Sequence, residues 1–553
     1  MSKENKKRFL ILIGLLAIVI FFYNFNLRED IDHKNDEYWT AVHYFADAWP
    51  VNMWDSEFET VDEDFEKISN DGFNTIILLV PWREFQPEYT DKNNFNTEAI
   101  TKLKFLTQKA KEYDLGVMVR LGYSWDCYDN RSTKDLIERY QKIFYDNETR
   151  NAWLNFSKKI YNTLNKYENF EGGFICWEDF WGVINTAKEL SGNNDLSKTF
   201  AQNLGYSKYM ITEKSLILES VFGASDLDED DIYIPSIDRY GFNTFYEYYD
   251  ILLYSLLLDT QSVFQNISME VRTDADLVKD ELGNDIYYNH TATYTCGNSD
   301  YSALVYGIPM GFVNKGELVT WDEALSMTDT ILDNVSQNTN GKLLFVEQFL
   351  FYDNTQGFSH NAQIKYDQID DYINNCAPVL KKYSKGYGIW TYKDYFFDAI
   401  SNGMFAKGLD SWNVTNGVVI EKDSKDKNKC YIPSNGNIVQ IVQNKVSTIA
   451  DETICSLYIE PKDGKAKVTI VNAGNRKQLV VEDAGVYTLK FEGTNWGEFS
   501  ITSDSDICVD NIRLYNYMQE GLIYNIDGTE DICADAIREL NQTLLMDVEL
   551  QYQ

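Results

Sequence analysis

"GGFICWEDFW", residues 172–181, decides how the chain is read. Small and apolar residues run without a break and then meet Glu178 and Asp179, flanked by Trp177, Phe180 and Trp181. A short apolar run closed by a carboxylate is how a buried parallel strand ends when it delivers a charge into a cleft. Alternate residues of a strand point the same way. Phe174, Cys176 and Glu178 therefore share one phase, and Asp179, in the opposite phase, is expected to be structural.

Similar runs recur on both sides. Strands are expected at 40–46, 75–81, 116–123, 172–178, 266–272, 302–309, 342–348 and 386–392, most of them separated by amphipathic stretches. The segment 320–337 opens with Thr320 and carries Glu323 three residues on, the pattern of a capping box. Strands alternating with helices over 38–400 predict an α/β fold, a (β/α)8 TIM barrel. That span is longer than the roughly 250 residues of a plain barrel. The surplus falls between strands four and five and between five and six, where long loops build clefts. From residue 401 to 516 the texture changes to short Val-, Ile- and Thr-rich runs between turn residues, which predicts an antiparallel, jelly-roll-like β-sandwich. In the tail, 517–553, Ile532, Ala536, Ile537, Leu540 and Leu544 share one helical face, so packing on a neighbouring domain is expected.

Of 553 residues, 86 are acidic and 50 basic, a formal charge of −36. A surface that acidic repels phosphate backbones, so no nucleic-acid partner is expected. Residues 1–8 form a basic tail, 9–27 an apolar run long enough to span a bilayer, and 28–37 a linker. No small-residue cleavage site follows the run. A single-pass transmembrane helix is expected, with the N-terminus in the cytoplasm and the rest in an extracellular position, making the cell membrane a partner. The eight cysteines contain no CxxC, and no His stands at metal spacing from one, so zinc is not expected and buried free thiols are as plausible as disulfides. No cofactor is expected for catalysis.

Glu178 needs a partner. In "KLLFVEQFLFYDN" (342–354), Leu343, Phe345 and Glu347 share a phase, and Glu347 also ends an apolar strand, the seventh. Catalytic groups of barrels sit at the C-terminal ends of strands. Two carboxylates across one barrel mouth are what glycoside hydrolysis requires: one protonates the leaving oxygen and the other attacks the anomeric carbon.

A glutamate ending strand four and another ending strand seven resemble the signature of the clan A, cellulase-like, retaining glycoside hydrolases. "GFNTIILLVPWREFQPE" (72–88) and "GYGIWTYKDY" (386–395) are similar to that clan's second and eighth strands. The resemblance implies Glu178 as acid/base, Glu347 as nucleophile and Trp390 as the floor of the sugar subsite, with a polysaccharide or oligosaccharide substrate, β-linked. Trp177 stands where most of the clan carries Asn, and Arg83 follows the second strand where the clan has an Arg within it. Arg120 has the phase to point inward and is expected to hold Glu347 ionised, with Glu178 the more shielded of the pair. His43, Tyr306, Trp82, Trp125, Trp177 and Trp181 are further candidates for substrate contact. "NGMFAKGLDSW" (402–412), "GNIVQIVQ" (436–443) and "ICVDNIRLY" (507–515) resemble family 4/9-type carbohydrate-binding modules, which implies a structural calcium ion with Asp510 as a ligand. The competing expectation is a non-catalytic surface glycan-binding protein on a degenerate barrel.

Overall fold

A computed structural model describes residues 38–551, except 49, 55–57, 59, 92, 125–132, 272–276, 289, 305–312, 315, 350–361, 397, 425–426, 443–451, 494–495, 516–517 and 520. Eight parallel strands close into a barrel: β1 (Trp39–His43), β2 (Thr75–Val80), β3 (Gly116–Leu121), β4 (Phe170–Cys176), β5 (Ile267–Val271), β6 (Ser302–Leu304), β7 (Leu344–Val346) and β8 (Ser384–Ile389). Each pairs with its sequence neighbour, and β1 closes the circle against β8. The strands are apolar runs buried on both faces, as "TIILLV" in β2 shows. Helices between them are capped from their own sequence. Asn96 accepts from the backbone of Glu98 and Ala99 at the start of α1 (Thr97–Glu112), and Thr320 and Glu323 form the expected capping box ahead of α2 (Trp321–Ser336).

The inside of the barrel has two storeys. Trp39, Ala41, Ile77, Met118, Phe174, Tyr301 and Phe345 form an apolar plug. The Tyr301 hydroxyl donates to the Gly173 carbonyl at 2.7 Å, and its ring meets Trp39 edge-on at 5.1 Å. Two residues further along the same phase the lining turns polar: Ala41 is followed by His43, Met118 by Arg120, Phe174 by Cys176 and Phe345 by Glu347. Ser268 is followed in the same way by Glu270, and all of these second-storey residues are buried.

After β8 the chain leaves for two five-stranded antiparallel sheets between Asn413 and Tyr515. These enclose a core of their own, with Phe405, Trp412, Leu457, Ile470 and Phe499. The segment's way in and way out lie side by side, since the Ala399 N–H donates to the Leu514 carbonyl at 2.8 Å. The chain then returns. Leu522, Ile523, Tyr524, Ile537, Leu540 and Leu544 belong to the barrel's hydrophobic core. Helix α3 (Ala534–Gln551) packs on the helices Ile369–Asn375 and Ala377–Tyr383, which precede β8. On its other side Asn541 donates to the Asp71 carbonyl at 2.9 Å, and Arg538 pairs with the Asp71 carboxylate at 3.1 Å, at the end of the helix that follows β1. The tail helix thus fills the place of the barrel's eighth helix.

The membrane placement is corrected. Among the described residues no helix is long and apolar enough to cross a membrane. The longest, Phe242–Gln261, carries Glu247, Asp250 and Asp259, with Asp250 on its buried face. The expected span 9–27 lies outside the described residues. The described cysteines (176, 296, 376, 430, 455, 508 and 533) are buried and free.

Candidate active site

Strand β4 stops at Cys176, and Trp177–Phe180 is a single 3-10 turn. This changes the expected geometry. At about three residues per turn, neighbouring side chains no longer alternate across a sheet. Glu178 and Asp179 therefore both reach the same cation: Arg120 Nη2 donates to Glu178 Oε2 at 3.1 Å and to Asp179 Oδ1 at 3.4 Å. The Ser124 N–H also donates to Asp179 Oδ1, at 2.8 Å. Burial, partly offset by Arg120, pushes the Asp179 carboxyl up to about 6. Burial works against the charge on Arg120. Asp179, Cys176, Glu178 and Glu347 together outweigh it, and the guanidinium holds its proton more tightly than usual.

Glu347 is the first residue after β7 and is wholly buried. It faces His43, with Nε2 2.6 Å from Oε1. His43 Nδ1 faces the Ile389 carbonyl at 3.1 Å. A side chain at Gly388 would press a Cβ to within 2.6 Å of the Glu347 carbonyl, so glycine keeps this wall of the barrel close. Two expectations are corrected here. Arg120 bonds to Glu178 and Asp179, because the 3-10 turn brings both onto it, while Glu347 has His43. Glu347, and not Glu178 at 7% exposure, is the more shielded, because it sits lower in the barrel wall.

Trp390 follows β8 and lies over the same storey. Its ring is 4.9 Å from His43 and 6.5 Å, stacked, from Tyr123, which in turn receives Arg120 at 4.9 Å. Its indole N–H donates to the Tyr395 hydroxyl at 3.1 Å. Trp177 is buried with its edge on Tyr249 and an indole nitrogen that has no hydrogen-bond partner among the described residues. Trp181 is half-buried against the barrel core. Trp82 is corrected: it is fully buried among Trp153, Tyr140 and Phe156, with its N–H on Gln86 at 2.9 Å, so its ring is spent on packing. Tyr306 and Trp125 lie outside the described residues.

Asp510, expected as a calcium ligand, lies on the sandwich's last strand, Ile507–Tyr515. Asp510 Oδ1 accepts from the Asn511 N–H at 2.7 Å, and among the described residues no group of three or more His, Cys, Asp or Glu could hold a metal ion. Calcium asks for six to eight oxygens, usually with several carboxylates.

Glu270 was missed. It lies on the inner face of β5 beside Cys176, whose thiol contacts Glu270 Oε2, and it is wholly buried. The signal was present in "NISMEVR": Ser268 and Glu270 occupy the phase opposite to Ile267, Met269 and Val271. Unpaired atoms converge on this storey. Among the described residues His43 Nε2, Arg120 Nε, Asp179 Oδ2, Glu270 Oε1, Glu347 Oε2 and Ser124 Oγ are buried without a hydrogen-bond partner. Buried polar groups are ordinarily satisfied, so this constellation has the character of a site that a polar ligand completes.

No protein-family model matches the chain, and no curated protein matches it in sequence. Among solved structures, an exo-β-1,4-mannosidase from an Opitutaceae bacterium is similar at 11% identity over 65% of this chain, with a TM-score of 0.40. The match spans 53% of the mannosidase, about half its length. A GH5_18 protein from Bifidobacterium longum is similar at 12% identity, over 65% of this chain and 70% of its own, with a TM-score of 0.39. A β-glycosidase is similar at 10% identity, over 66% and 88%, with a TM-score of 0.36. Likeness this distant does not extend to substrate or activity.

Proposed function

We propose that the protein is a retaining glycoside hydrolase acting on a β-linked polysaccharide or oligosaccharide, with Glu178 as acid/base and Glu347 as nucleophile. One observation carries the reading: two glutamates at the C-terminal ends of strands four and seven of a closed parallel barrel lie within the field of the same buried arginine. The C-terminal ends of barrel strands are where such chemistry is placed. In the first step Glu178 gives its proton to the leaving oxygen as Glu347 attacks the anomeric carbon, forming a glycosyl ester and breaking the glycosidic bond. In the second, Glu178 takes a proton from water, which attacks the same carbon and frees Glu347. Trp390, packed against Tyr123, is the candidate floor for a sugar face.

The reading has one requirement. A guanidinium 3.1 Å from Glu178 favours its anion, and an acid must carry a proton. Substrate binding therefore has to loosen the Arg120–Glu178 contact. That same contact favours the second reading, a barrel that binds glycans without turnover. The experiment is hydrolysis on a panel of β-linked glycans and aryl glycosides. Turnover should retain the anomeric configuration. Glu347→Gln should abolish it, and Glu178→Ala should be rescued by azide on activated substrates only. Binding without turnover by the intact protein would select the second reading.

A further inference from the structure

Glu270 is a carboxyl that the proposed chemistry does not use. It stands inside the barrel on β5, with no exposed surface. The charged and titratable groups that face it are Glu347 from the end of β7, Arg120 from β3, and Glu178 and Cys176 from β4 and the turn beyond it. Its Oε2 meets the Cys176 thiol, and its Oε1 has no partner among the described residues. Counting Asp179, four carboxyls share this storey with one guanidinium and one imidazole. Arg120 is bonded to Glu178 and Asp179, and His43 lies against Glu347, which leaves Glu270 with a thiol alone. A dry interior does not hold neighbouring carboxylates all charged, and the proton settles on the one least served by cations.

We propose that Glu270 is a positioning residue that stays protonated beside Glu178 and Glu347, so that those two can stand together around Arg120 without a third glutamate charge. The inference rests on the functional reading above for its purpose, though not for its test. Burial first, and then the charge of Glu347, drive the Glu270 carboxyl well above the usual range, in the same direction as the geometry. Ionisation at high pH would add a charge beside the pair, drawing on Arg120 and repelling Glu347.

The test uses the full chain and Glu270→Gln, which keeps the shape and fixes the neutral state. A carboxyl held protonated in the fold and free to ionise in the unfolded chain contributes stability that is whole below its unfolded value, near about 4.3. That contribution drains away as pH rises towards the folded value, by up to about tenfold in the folding equilibrium per pH unit. The folding constant of E270Q should therefore gain steadily on the wild type between about pH 5 and 7. A ratio that does not change with pH would overturn the proposal, whether or not any glycan is hydrolysed. Glu270→Met carries the same comparison should the Gln variant not fold. In the wild type itself, infrared spectra at pH 7 should keep the carbonyl stretch of a protonated carboxyl, and its absence would equally overturn the proposal. With a hydrolysed substrate in hand, the alkaline limb of kcat/KM should move to higher pH in E270Q. A purely structural role would lower the whole profile without moving it.

Discussion

His43 and Glu347 face each other at the floor of the barrel mouth. Nδ1 of the ring faces the Ile389 carbonyl at 3.1 Å and so carries a hydrogen. Nε2 faces Glu347 Oε1 at 2.6 Å. Replacing His43 by Phe keeps a ring against Trp390 but leaves Glu347 buried without its partner. Breaking a buried pair from one side costs about 3–5 kcal/mol. Urea unfolding of H43F should show a loss of that order, and hydrolytic activity should fall with it. A loss below about 1 kcal/mol would mean that the contact is not a charged one.

A second titration lies where barrel and sandwich meet. Asp398 accepts from the Ile400 and Leu514 N–H groups at 2.9 and 3.0 Å, and burial pushes it up to about 6 despite Arg513 nearby. Its folded value lies above its unfolded value near about 3.9. Its contribution is therefore whole below that unfolded value and is lost as pH rises through about 6. Asp398→Asn keeps the accepting oxygen. Its stability relative to the wild type should improve between about pH 4 and 6 and level off above, as read by thermal unfolding across that range. A flat difference would show that the group titrates normally.

Trp82 separates packing from binding. The ring is enclosed by Trp153, Tyr140 and Phe156. Trp82→Ala should cost about 3–5 kcal/mol of stability, as truncation of large core residues does. At a temperature where the variant is still folded, KM for any hydrolysed glycan should be unchanged. A rise in KM with intact stability would return Trp82 to the cleft.

Leu540 tests whether the tail belongs to the barrel. It is buried in the barrel's core cluster, although 150 residues separate it from Trp390. Leu540→Ala should cost about 2–5 kcal/mol, and the loss should appear in the transition that exposes Trp390 and Trp82. A change confined to the sandwich's own transition would place the helix elsewhere.

The strand order was legible because each strand is a continuous apolar run, and burial on both faces demands that. Glu178 and Glu347 were legible because a charge at the end of such a run has few structural explanations. Glu270 was not picked out, because a single Glu within a five-residue strand looks like ordinary alternation until every neighbour's inward phase is known. The partner of Arg120 was misread because strand phase was extended through Trp177, two residues too far, into a turn with a different period. The place of α3 is set by contacts with Asp71 and Lys381 across the chain, which no local pattern records.

The return of the chain through Ala399 and Leu514 bears on the order in which the molecule is made. Synthesis delivers the eight barrel strands first, then the whole sandwich, and only at the end the helix that completes the barrel wall. Until then the outer face between β8 and β1 has no cover. Left as loose chain, the intervening segment would impose a closure cost that grows with the logarithm of its length. Folded, it brings its two ends to one hydrogen bond of 2.8 Å and turns a long excursion into a short staple. Only two of its eight strand pairings, Val419–Lys422 with Asn428–Ile432 and Ala466–Asn472 with Asn475–Val481, join neighbouring strands; the others join strands distant in sequence, and such contacts form slowly. The barrel therefore waits on a slow step, and completion of the sandwich hands α3 to the gap it must fill. A lesion in the sandwich would then surface as a nascent barrel that never shuts, far from the residue that was changed.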